Sequence, residues 1–533
     1  MKKRILAILL GSCLALSAFT ACDKTETTEE TTTAGTTTAA DANAETTTPA
    51  PVEVEAGQFE GVTVTVAYMT SAAVNSGDKA RIEGVINEYV GEKLGGLQVK
   101  WLEAGPAWSF DTVTQQIQSG SADFDILPAF SWSAPTVLAG AQSGQFLRLD
   151  DPDNNLLQSY GSGLFTGAAG AAMKGASTYA GPDGVGVYAV AVEKDGASDG
   201  GYLVNNDVLA AADKSISDLN LGDFTSWGDT LQAVKDSGVT FPLVVEAEVL
   251  DRIVNHVAYV GNTTTILGIQ FGSDPASAPT TIVNRYATDD YSKFVDTVNG
   301  YYSKGFIDPA TTIQDSAPDA ITTARNAGTF AVATYLADAS GAATNPAAAT
   351  QNITYHSQFL YMDSLTSTGA GFALYAGTKN ADAAAAFLGL WFTDATLNNY
   401  INWGEEGTDF TLSGNVATAI EGKDHNPLGA WQNGSGLLQV AGSYETVPNA
   451  FTNQQAQNAA AKILSSMGYQ FDASKAEVEF NNTGAWVASN AVPLGAGAVE
   501  VSKLAALLTE LESAGASKLV TEAQAQLDQF LAG

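Results

Sequence analysis

Residues Thr368–Phe410 read TGAGFALYAGTKNADAAAAFLGLWFTDATLNNYINWGEEGTDF. The short apolar run Phe372–Tyr375 suits a buried strand. Lys379, Asn380 and Asp382 form a polar turn in which Asn380 can cap a helix. Ala385, Phe387, Leu388, Leu390, Trp391 and Phe392 follow at helical spacing, which places Trp391 in a core-facing stripe. Trp403-Gly404 and Gly407 break the pattern. The stretch is a strand, a turn, a well-filled helix and an aromatic–acidic loop, which together make one piece of an α/β layer.

The chain upstream has the same grammar. Gly61–Met69 alternates Val62, Val64 and Val66 with threonines and reads as a strand. Asp78–Leu94 reads as a helix, Leu97–Leu102 as a strand, and Phe110–Ser119 as a helix. Asp123–Leu127 begins a third strand, followed by the loop Pro128–Trp132. Alternating strands and helices imply parallel pairing, with ligands outside the carboxyl ends of the strands. Tyr68 and Trp132 then share one rim. Tyr188–Val192, Phe241–Val245 and Gly328–Tyr335 are further strand-like runs, and Leu504–Phe530 reads as closing helix.

The 533 residues can bury a large core and suggest two to four domains. A net charge of −34 makes nucleic acid an unsuitable partner and favours neutral or cationic ligands. Cys13 and Cys22 are the two cysteines, so the body has no disulfide and no cysteine metal site. His256, His356 and His425 lie far apart, and no metal or other cofactor is expected.

Lys2-Lys3-Arg4, an interrupted apolar run and Ala18-Phe19-Thr20-Ala21-Cys22 fit an export signal over residues 1–21. The ending resembles a bacterial lipobox, which implies lipidation at Cys22, although Phe19 and Thr20 depart from its tightest form. Two acyl chains suffice for stable anchoring. Residues 22–57 are rich in Thr, Ala and Glu and cannot bury a core. As a flexible tether this stretch reaches about 30 Å.

Several stretches resemble family-1 extracellular solute-binding proteins of ABC importers. The strand, turn and helix of Phe372–Phe392 are similar to a segment with which that family returns to its first lobe. The tail Asn398–Phe410, NNYINWGEEGTDF, is similar to the LipO-like lipoprotein subgroup, with Trp403–Gly407 the most specific part. Gly144–Asp151, Gly200–Leu209, Tyr291–Pro309 and Ala514–Leu531 also resemble family motifs, with Asn206 replacing the usual lysine. The likeness is patchy over Trp431–Ala485. It implies an α/β, two-lobed periplasmic-binding-protein-like (type II) fold with a three-segment hinge and extra C-terminal helices. The expected division is first lobe 58–195, second lobe 196–350, a first-lobe return over 351–410, and the remainder of the second lobe with added helices over 411–533. Crossings are expected near 195–200, 340–355 and 405–415.

Sugars present apolar C–H faces ringed by hydroxyls, so their sites pair aromatic platforms with acids and amides in a concave pocket. Tyr68 and Trp132 in the first lobe, Glu246, Glu248 and Tyr335 in the second, and Trp403 near the hinge are the candidate ligand contacts. Each ring could instead be core, and each acid a solvated surface group or helix cap. No H-E-x-x-H or P-loop pattern occurs. The acid pairs Glu246/Glu248 and Glu405/Glu406 leave glycoside hydrolysis as an alternative. The resemblance implies a non-enzymatic importer component that captures a neutral oligosaccharide or other small solute for an ABC permease at the outer membrane face. A sensor or adhesion lipoprotein of the same fold is the third reading.

Overall fold

The computed structural model describes residues 53–532 except 71–75, 107–108, 132–135, 167–169, 195, 262–263, 272–279, 338–344, 415, 424–427 and 443–449. The export signal, Cys22, nearly all of the tether and Trp132 lie outside the described residues.

One five-stranded sheet runs in the order Gln98–Glu103, Thr63–Tyr68, Ile126–Pro128, Gly371–Leu374, Val190–Ala191. Its first three strands are parallel, with Val64 opposite Val99 and Val66 opposite Trp101. The alternation read from the sequence is real: Val64 and Val66 are fully buried, and Thr63 is exposed. Gly371–Leu374 enters antiparallel between Ile126–Pro128 and Val190–Ala191. Gly371 is needed there, because a Cβ would stand 2.9 Å from the Val190 carbonyl oxygen and 3.0 Å from that of Ala129.

A second five-stranded sheet has the order Lys462–Ile463, Ile353–Met362, Ser198–Asn205, Val332–Ala337, Leu243–Val244. Ser198–Asn205 is buried along its whole length. Ile353–Met362 pairs with it antiparallel, with an irregularity between Ser357 and Phe359. The return to the first sheet therefore follows Met362 and not residue 351, and the crossing expected at 340–355 lies at 363–370. Residues 410–442 also differ from expectation. Leu428 and Trp431 pack into the core of the first sheet, so this stretch is not part of the second lobe. The closing helix is broken into Leu504–Ser513 and Ala516–Leu531 at Gly515, whose φ is 104°. Both pieces, with helix Glu477–Gly495, join the core of the second sheet through Trp486, Leu511, Leu519 and Leu527.

The stretch that opened the reading holds the first lobe together. Helix Ala381–Thr393 begins where expected, but Asn380 does not cap it through its side chain. Thr378 Oγ1 accepts from the Asn380 amide at 3.0 Å, and Asn380 Nδ2 donates to Asp125 at 3.2 Å. Trp391 is fully buried, its indole edge-on to Trp101 at 5.5 Å and its Nε1 donating to Asn433 at 2.7 Å. Helix Ala395–Trp403 then stops at Gly404, with φ 80°. The acidic loop folds around Asp409, whose carboxylate accepts from the Glu405 amide at 2.8 Å and pairs with Arg81 of helix Ser76–Lys93. Glu405 also pairs with Arg81, at 2.8 Å.

The Asp409 carboxylate is wholly buried while Arg81 keeps about a third of its exposure (32%). Asp409→Ala is therefore expected to destabilise by about 1–3 kcal/mol, short of the full cost of breaking a buried pair. Urea unfolding of the variant against the parent measures it.

Candidate functional site

Strand direction decides where a site can form. In the first sheet the strand ends at Tyr68, Pro128 and Ala191 share one rim, and Gly371 enters the sheet at that rim. In the second sheet Ser198 begins its strand at the same rim where Ala337 and Met362 end theirs; Val244 runs in the same direction but ends level with Ala333, opposite Leu203. Two crossings, between Val192 and Ala197 and over Asp363–Ala370, join these rims, and the third, expected at 405–415, falls between Gly442 and Lys462, where the chain passes to the second sheet. The carboxyl ends of the parallel strands in both sheets therefore border the hinge, where open α/β sheets bind ligands.

On the second rim the structure brings Glu246 and Tyr335 together. Arg325 Nη2 pairs with Glu246 Oε2 at 2.7 Å, and its guanidinium lies 5.4 Å from the Tyr335 ring centroid. The Glu246 amide donates to Thr334 Oγ1 at 2.8 Å, which fixes the turn. Tyr335 is half-buried and stands edge-on to Tyr355 at 6.1 Å. The Tyr355 hydroxyl donates to Asp199 at 2.7 Å, as do Ser357 Oγ at 2.6 Å and Gln457 Nε2 at 3.1 Å. Gln457 belongs to helix Ala450–Ala460, and its Oε1 finds no partner among the described residues.

Glu248 lies in the first turn of helix Ala247–Asn255. The residue is half-buried. Burial raises its pKa above the usual glutamate range; Arg252 opposes the shift and Glu246 adds to it. Behind it Arg285 pairs with Asp251, and Arg252 donates to Ser198 Oγ at 2.6 Å and to the Tyr361 hydroxyl.

The first rim differs from expectation. Tyr68 is fully buried, its ring edge-on to Trp101 at 6.1 Å and its hydroxyl accepting from Lys79 Nζ at 2.6 Å. Trp403 is also buried, with Phe410 beside it and its Nε1 donating to the Val440 carbonyl at 2.9 Å. It braces the acidic loop and presents no face to a solute. On this rim, among the described residues, Trp431 is half-buried and tilted against Phe130 at 5.6 Å. Beside it Gln432 Nε2 donates to the Met69 carbonyl at the end of the central strand. Sequence reasoning missed Trp431, Tyr355 and Asp199. No periodic pattern surrounds Trp431, and the other two become neighbours only through strand pairing. A separate hollow by the first crossing, lined by Phe165, Met173, Val190, Ala191, Glu193 and Phe392, has a mixed polar and apolar wall.

Two α/β lobes joined at a hinge, with polar and aromatic rims facing it, are the architecture of two-lobed solute-binding proteins. The chain is similar to the N-glycan transport solute binding protein NgtS of Streptococcus pneumoniae, at 20% identity and TM-score 0.67, over 89% of this chain and 99% of that one. It is also similar to an HMO-binding, ABC-transporter-associated solute binding protein of Bifidobacterium longum infantis, at 14% identity and TM-score 0.55, over 88% and 99%. A protein of Streptococcus pneumoniae serotype 4 described as a carbohydrate ABC transporter substrate-binding protein is 24% identical over 460 residues, covering 85% of this chain and 87% of that protein. A family model described as a domain of unknown function (DUF3502) matches residues 465–532. The fold is the two-lobed one expected, and the likeness is to the ABC-transporter solute-binding proteins the sequence motifs resemble.

Because Glu248 binds its proton more tightly folded than unfolded, it lowers stability as pH rises through and above the ordinary glutamate value. Glu248→Gln is expected to be more stable than the parent at pH 7. The gain should shrink to nothing as pH falls below that value, in thermal melts across pH.

Proposed function

We propose that the protein captures a neutral oligosaccharide between its two lobes and delivers it to an ABC permease, held at the outer membrane face through Cys22. The carrying observation is the pair of facing rims: the half-buried Trp431 on one, and Tyr335, Tyr355, Glu246 and Glu248 on the other. Rings offer platforms for sugar C–H faces, and acids and amides take hydroxyls. The named relatives, described by what they bind or transport as N-glycan, HMO and carbohydrate proteins, support a glycan as the solute.

Charge favours a neutral glycan. Lys79 pairs with Glu103, Arg81 with Glu405 and Asp409, Arg325 with Glu246, and Lys423 with Asp78. These cations are already matched by carboxylates, so a uronate or sialyl group would have to displace an existing partner. No covalent step is required. Glu405, one of the acids that could have served hydrolysis, is engaged with Arg81 in holding the first lobe. The LipO-like subgroup assignment rests on Asn398–Phe410 and the closing helices. Among the described residues no helix is long and apolar enough to cross a membrane.

Calorimetry with Man5GlcNAc, lacto-N-tetraose, maltopentaose and kestose tests capture. Binding of at least one is expected, and binding of none speaks against the reading. Trp431→Ala should weaken that binding by about tenfold or more, 1.4 kcal/mol, as loss of a central aromatic anchor does. Steady turnover of a glycan, lost in Glu248→Gln, would instead select the enzyme alternative.

A further inference from the structure

The C-terminal helices have no part in the capture reading above. Helix Glu477–Gly495 lies along helix Ala247–Asn255, whose first turn carries Glu248. Gly495, which is buried, lies at the contact. A Cβ there would stand 2.6 Å from the Ala247 Cβ and 3.2 Å from its Cα. Ala247 sits between Glu246 and Glu248.

A second contact runs from the same helix. Trp486 sets its ring edge-on to Tyr286 at 5.0 Å. The Tyr286 hydroxyl accepts from Arg285 Nη2 at 2.5 Å, and Arg285 pairs with Asp251 in the middle of the site helix. The site helix needs such support. It has nine residues, follows a strand of two, and has no side-chain cap at Glu246. A helix that short is held by tertiary packing and not by its own propensity.

We propose that the C-terminal segment, residues 465–532, is a positioning element for the second rim of the cleft. Gly495 on Ala247, and Trp486 on Arg285 through Tyr286, set where helix Ala247–Asn255 lies and so where Glu246 and Glu248 stand. This inference rests on the capture function proposed above.

The test uses the full soluble chain with Gly495→Ala, and with Gly495→Ala combined with Ala247→Gly. Hydrogen exchange without ligand reports the site helix, and calorimetry with the tightest of the four glycans reports the rim. The single variant should exchange faster within 247–255 and bind about tenfold more weakly, with both effects reversed in the double variant. A purely local role for Gly495 has the opposite sign, because alanine is the better helix former. Unchanged exchange, unchanged affinity, or no recovery in the double variant overturns the proposal. If the parent binds none of the glycans, the capture reading fails, while exchange still decides whether Gly495 positions the site helix. If Gly495→Ala does not fold, Trp486→Leu replaces it. That change removes the ring contact on Tyr286, and faster exchange within 247–255 with weaker binding is expected, while unchanged exchange overturns the proposal.

Discussion

Each crossing between the lobes must leave one sheet and enter the other at rims that face each other, and most of this structure follows from that. Ser198–Asn205 leaves the hinge and Ile353–Met362 runs antiparallel back to it. Val190–Ala191 and Gly371–Leu374 do the same in the first sheet. Pairing within each sheet thus places these two members of the hinge side by side. The cleft comes from connectivity, and the side chains on its rims only furnish it.

The buried charges behind the second rim serve this geometry. Arg252 donates to Ser198, the first residue of one hinge strand, and to Tyr361, next to last in the other. Arg285 and Asp251 are each almost wholly buried and paired. Such pairs add little net stability, because desolvation offsets most of the attraction. Their contribution here is register: a guanidinium with fixed forks holds helix Ala247–Asn255 over two strand ends at once. An aliphatic side chain of equal volume would pack there but would not choose that position.

The sequence was legible where a pattern is local. The strand Gly371–Leu374, the helix Ala381–Thr393 and the core place of Trp391 follow from spacing alone. Tyr68 should have been read as core, since it shares the parity of the buried Val64 and Val66. What was illegible depends on distant partners. Asn380 marks the helix start, but the Thr378 and Asp125 hydrogen bonds need a residue more than 250 positions away. Trp403 is committed by the Val440 carbonyl, and Trp431 becomes a rim residue only by resting on Phe130. The return boundary was misplaced because Ile353–Met362 is a strand in either sheet by composition, and only its pairing with Ser198–Asn205 decides.

Separate cores make the device workable. The first sheet and helix Ala381–Thr393 bury one cluster, and the second sheet with the C-terminal helices buries another. Each rim is therefore organised before any solute arrives. Asp199 already accepts three hydrogen bonds, and Arg325 already holds Glu246 beside Tyr335. Under the proposed capture function, a solute touching both rims would not have to order either one, which leaves its contact energy for a change of lobe angle. It shifts that angle only by what it gains from the second rim over the first alone. A ligand short enough to reach one rim would bind without closing the lobes, and this is the physical reason a two-lobed protein of this form suits an extended solute.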